Sequence, residues 1–173
     1  MMHNTHFSQF IPPSMMMASA GTWTDTVASN VWSKNRTAAD ANFTVYIPVL
    51  LPSNSVALQG AKLASIEIMY VIATGAMDDV TSIKLYKDTF SATAASGSGS
   101  VNTAAEVTAV TWDTGHDTAA EQKAADEHRA VCTLTTPAFV DNDEGYHIEM
   151  VVDGSASGVF KFMGAIANFT LKG

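Results

Sequence analysis

The sequence predicts an all-β protein: an antiparallel β-sandwich, jelly-roll-like, of about eight to nine strands with an extended N-terminal arm. Three observations carry that expectation. From residue 20 onward apolar residues recur with period two. Gly-, Asp- and Asn-rich turn sequences separate these runs. Helical spacing appears only at 118–128, as a short amphipathic stretch of one or two turns.

Residues 1–19 read as a separate arm. It carries Phe7, Phe10, Ile11, Met15, Met16 and Met17, and Pro12-Pro13 imposes an extended path. Large apolar side chains on an extended segment must lie on the chain's own sandwich or on a neighbouring subunit. These residues, together with Trp23 and Trp32, are the expected interface. Residues 20–173 form the sandwich domain.

The next run, 21–27, alternates weakly. Asn42–Leu50 puts Phe43, Val45, Ile47 and Val49 on one face, and Pro48 marks an edge or a strand end. Lys62–Ile72 is the longest run, with Ile66, Ile68, Tyr70 and Ile72 on one face and Glu67, Met69 and Val71 on the other. Gly75–Asp79 reads as a hairpin loop into Thr81–Tyr86. Further strands are expected at 105–112, 129–136, 146–152, 158–163 and 166–171. Gly145-Tyr146 opens a strand in the manner of a tyrosine corner. Residues 91–104 are low in complexity and read as a flexible excursion.

Composition narrows the function. The chain has 173 residues, 47% of them hydrophobic, enough for one packed domain. Lys and Arg total 9 against 17 Asp and Glu, a net charge of −8. Nucleic acid and anionic membrane surfaces are therefore poor partners, because binding them needs clustered cations. Only 15% of residues are charged, against about a quarter in typical domains. Such a bland surface suits a packed assembly. No run of about 18 apolar residues is present to span a membrane as a helix, and the N-terminus lacks the basic and apolar regions of a signal peptide. The single cysteine, Cys132, cannot form an intrachain disulfide and reads as a core thiol.

Sequences that could carry chemistry are few. Asp113-Thr-Gly-His-Asp117 sets a histidine between carboxylates, a general-base pattern, but it is also a good turn. Asp141, Asp143 and Glu144 are candidate Ca²⁺ ligands in an acidic loop that lacks EF-hand spacing. His147 and Glu149, two apart on a strand, give a slight hint of a metal-binding enzyme. No metal motif, nucleophile elbow, P-loop or dinucleotide fingerprint occurs. No catalytic residue, cofactor or firm metal site is expected. Trp23, Trp32 and Trp112 could stack on sugar, although core or subunit-contact roles are expected for Trp23 and Trp32.

The strings TVYIPVLLPSNS, SIKLYKD, DTGHDT and TTPAFVDNDEGYHIEMVVDG resemble small all-β structural proteins of tailed phages and environmental viruses. The shared pattern is an I-P-x-x-L-P segment before a long strand, then an LYKD strand, then a hairpin near the end that begins T-P and closes on Y-H-x-E. The resemblance implies a non-enzymatic virion component, a head decoration (cement) protein. Such proteins are often trimers, so the partners it implies are the chain itself and a major capsid protein, with assembly in the virion. The alternative is a receptor- or carbohydrate-binding head of a tail fibre or spike. The resemblance carries over no site residue.

Overall fold

The computed structural model describes residues 4–49, 61–90, 102–139 and 144–172. They fold into two antiparallel sheets packed face to face, a β-sandwich. In chain order the strands are β1 (Asn4–Ile11), β2 (Met17–Ala18), β3 (Trp23–Ala28), β4 (Val31–Arg36), β5 (Ala41–Val49) and β6 (Lys62–Ala73). There follow β7 (Asp79–Phe90), β8 (Asn102–Glu106), β9 (Val110–Trp112), β10 (Glu127–Phe139), β11 (Glu144–Gly154) and β12 (Val159–Lys172), with one helical turn, α1 (Ala119–Gln122), between β9 and β10.

The larger sheet runs β3-β4-β12-β6-β10-β9, with β1 also paired to β12; the smaller runs β2-β5-β11-β7-β8. Period-two sequences set this arrangement, because alternate side chains point to opposite faces. Ile66, Ile68, Tyr70 and Ile72 of β6 are buried, as expected. So are Phe43, Val45, Ile47 and Val49 of β5 and Ile148, Met150 and Val152 of β11. Pro48 lies beyond the two-residue β2, which pairs only with Val45 and Tyr46. That part of β5 has no second neighbouring strand among the described residues, so the missing N–H is tolerated.

Four expectations need correction. Gly75–Asp79 is not a hairpin loop. β6 and β7 lie in different sheets, so the segment crosses the sandwich edge, with Thr74 at φ 71° making the bend. A tight turn and a sheet-to-sheet corner use the same Gly and Asp residues, and sequence does not separate them. Residues 105–112 are not one strand. β8 pairs with β7 in the small sheet and β9 with β10 in the large one. Conversely, 158–163 and 166–171 are one strand, β12, bulged at Gly164 (φ 132°). There the Phe10 ring fills the space a Cβ would occupy, at 2.7 Å. Fourth, Tyr146 is a buried core residue whose hydroxyl makes no corner bond to backbone among the described residues.

The N-terminal segment is built into the chain's own sandwich. β1 pairs with β12 from Asn4↔Lys172 to Ile11↔Ala165, and Phe7 stacks on Phe169 with centroids 4.8 Å apart. Ile11 and Met16 are core residues at 0% and 2% exposure, so neither is available to a partner. Phe10 and Met17 remain open at 55% and 70%. Ile11→Ala should therefore cost the monomer about 2–5 kcal/mol in urea denaturation. An arm docked only on another subunit would give no loss in a dilute monomer.

Candidate ligand-binding face

The outward residues of the small sheet make a continuous surface across four strands. Register places Pro48, His147, Tyr86 and Glu106 side by side across β5, β11, β7 and β8. The adjacent row is Met17, Tyr46, Glu149 and Lys84, across β2, β5, β11 and β7. Neighbours in such rows stand about 4.5–5.5 Å apart at Cβ. All but Met17 and Glu106 are half-buried.

His147 is the centre of this face. Its Nδ1 lies 2.5 Å from Asp88 Oδ2. Its ring stacks on Tyr86 with centroids 5.3 Å apart at 12°, and Tyr46 sits 6.3 Å away on the other side. An open pocket of about 360 Å³ lies there, lined by Met17, Tyr46, Pro48, Asp88 and His147. Most of its wall is apolar, so it offers flat ring and thioether surface with a carboxylate at the rim. Lys84 donates to Glu106 Oε2 at 3.0 Å, which raises the lysine's pKa, and Lys87 pairs with Glu144.

The acidic turn Asp113–Asp117 is structural. Asp113 Oδ1 accepts from Gly115 N–H (3.0 Å) and faces His116 Nδ1 (2.8 Å); Oδ2 accepts from Val131 N–H at 2.6 Å. Burial pushes the Asp113 carboxyl up, but these hydrogen bonds outweigh it and hold it below the usual carboxylate range. His116 Nε2 continues to His128 Nδ1 at 3.2 Å, and His128 Nε2 faces the Ala124 carbonyl at 2.9 Å. His128 is stacked on Tyr70, whose hydroxyl donates to the Gln122 carbonyl. With both its oxygens taken, Asp113 serves to fasten the 113–128 segment over the end of the core.

Other sequence candidates are scattered. Asp141 and Asp143 lie outside the described residues, and Glu144 is engaged by Lys87. A different acidic group forms instead: Asp40, Asp78 and Asp153 each bring one oxygen within 4.8 Å of the others. The tryptophans make no shared platform. Trp23 is packed edge-on against Phe43 and Phe160, Trp112 is half-buried against the core, and Trp32 stands 42% exposed on the large sheet. Met15 is half-buried against the core as well. Cys132 is fully buried, which pushes its thiol up to about 12.

Tyr46, Tyr86 and Asp88 were not singled out by sequence reasoning as site residues. The signal was partial: Tyr46 lies between the core residues Val45 and Ile47, Tyr86 follows core Leu85, and Asp88 has no core neighbour in sequence. Which outward face is aromatic depends on strand order.

No protein-family model matches the chain, and no curated protein does. Solved structures to which it is similar include a chain from the carbohydrate-binding modules of the β-sandwich superfamily, at 12% identity and a TM-score of 0.41. That similarity covers 93% of this chain and 55% of the other, so the chain spans about half the length of that protein. TmCBM61, solved in complex with β-1,4-galactotriose, is similar at 11% identity and a TM-score of 0.37, over 93% of this chain and 86% of that one. A carbohydrate esterase of the Shiga toxin-encoding bacteriophage phi24B gives 13% and 0.37, over 91% and 90%. At these scores no residue role passes to this chain.

The histidine network sets a pH dependence. Burial holds the His128 pKa below its ordinary value near 6.5. A depressed folded value means that the folded state disfavours the proton. The stability His128 contributes is thus fully present above about pH 6.5 and is lost as pH falls through the lowered folded pKa. Thermal melts from pH 7.5 downward should show Tm falling in this window, and His128→Gln should flatten that part of the profile.

Proposed function

We propose that this protein is a non-catalytic carbohydrate-binding domain that takes saccharide on the outer face of its small sheet. The observation that supports this reading is the row Pro48–His147–Tyr86 beside Tyr46, around a pocket with apolar walls and a carboxylate rim. A pyranose has one face of C–H groups and an equator of hydroxyls. Rings at Tyr46 and His147 suit the C–H face, while Asp88 and Glu149 suit the hydroxyls. The support is rigid: His147 is clamped between Asp88 and Tyr86, so little ordering entropy is lost on binding. The phage resemblance suits the same reading as a receptor-binding head of a fibre or spike.

Tyr46→Ala and His147→Ala should each weaken binding on a glycan array by about tenfold or more, with the far-UV spectrum unchanged. Wild-type signal in both variants would exclude this face.

A second reading rests on the opposite sheet. Val27 and Trp32, cross-strand partners on the β3–β4 hairpin, are 71% and 42% exposed, an apolar pair on one face at the sandwich edge, with Val31 at 49% on the other face. It suits a packed virion subunit, a head decoration protein held as a homotrimer or on a major capsid protein. Trp32→Asp should then abolish particle binding in co-sedimentation while leaving glycan binding intact.

A further inference from the structure

The charges around the pocket say which saccharide it would prefer. We propose that the face selects a cationic sugar, an amino sugar with a free ammonium group, over neutral, N-acetylated or acidic ones; this rests on the carbohydrate reading above. Three carboxylates border the aromatic row. Asp88 is held by His147 Nδ1. Glu106 is held by Lys84, in an ion pair of 3.0 Å. Glu149 accepts no hydrogen bond among the described residues. Lys84 lies opposite it on β7 and acts on it only through space, with its ammonium committed to Glu106.

Of the three, Asp88 lines the pocket itself, and Glu149 stands beside it. Glu149 pairs directly with Tyr46 in register and stands two residues from His147 on the same face of β11. A ring lying on Tyr46 and His147 therefore brings its substituents toward a carboxylate that accepts no hydrogen bond among the described residues. A hydroxyl there donates one neutral-to-charged bond. An ammonium gives a bond between two charges, among the strongest hydrogen bonds available to a side chain. An N-acetyl group removes that charge and adds bulk. A uronic acid adds a like charge to a face already rich in carboxylates and is repelled.

The test uses the full chain in calorimetric titrations with oligoglucosamine and oligogalactosamine, the same oligomers N-acetylated, and the parent neutral oligosaccharides. Binding of an amino-sugar oligomer should exceed that of its neutral parent by about tenfold, and the margin should shrink at high salt. Glu149→Gln should erase the margin while keeping the residual binding shared with the neutral sugar. Tyr46→Ala should lower both. Equal binding of cationic and neutral oligomers, or a margin that survives Glu149→Gln, overturns the proposal and leaves the carbohydrate reading standing. No binding by any of these saccharides, nor on a wider glycan array, overturns both.

Discussion

The two sheets are held in register by one aromatic interlock, and the rest of the structure depends on it. Tyr70 of β6 stacks on Phe160 of β12 at 5.5 Å; Phe160 meets Phe43 of the opposite sheet edge-on at 5.6 Å, and Trp23 closes on both. Arg36, 1% exposed, lays its guanidinium 4.2 Å over the Phe43 ring and donates to the Ala39 and Ala41 carbonyls. Burial lowers its pKa, and its Nε has no hydrogen-bond partner among the described residues. A charge so placed is tolerated through the ring face and two carbonyls. Edge-to-face contacts fix angles as well as distance. The interlock therefore sets how β5 sits over β12, and through β5 it sets where β11 and the binding face lie.

The same arrangement explains why the two outer faces differ. The small sheet is joined through β11, which pairs with β5 along nine residues and with β7 along most of its length. Pairing with β7 runs unbroken from Glu144 to Val151 and shifts register only before Val152, so rings at Tyr46, His147 and Tyr86 fall in adjacent rows. The large sheet is interrupted by bulges at Gly164 of β12 and between Thr133 and Ala138 of β10. Its apolar exposure gathers at the β3–β4 hairpin, where Ser29 and Asn30 adopt positive φ, as a two-residue turn of the primed type requires. A rigid row of rings fits a small ligand, and a protruding apolar hairpin fits a packing contact.

Much of the architecture was legible in residue order. Alternation in β5 and β6 marked their inward residues. The helical stretch expected at 118–128 is a single turn, Ala119–Gln122, opened by a capping box of Thr118 and Glu121, and Glu127 and His128 already belong to β10. The hairpin expected near the end is not one, because β10 and β11 lie in different sheets. The arm was legible as a segment but not in its destination. Phe7 and Ile11 had to be covered, and nothing local specified that β12 would cover them. The site was legible in pieces. The strings IPVLLP, KLYKD and YHIEM supplied the resemblance, and their outward residues Pro48, Tyr86, Asp88, His147 and Glu149 are those that meet on the small sheet.

The sequence by itself determined the fold class, the inward faces of β5 and β6 and the lack of any familiar catalytic motif, because period two and turn chemistry are local properties. Tertiary structure alone decided which strands became neighbours. Tyr46, Tyr86 and His147 are far apart in the chain and share a face only because β5, β11 and β7 are adjacent. Strand order is settled by long-range packing between sheets, so the low charge of the chain was visible at once, while the placement of the Glu149 carboxylate beside an aromatic row was not.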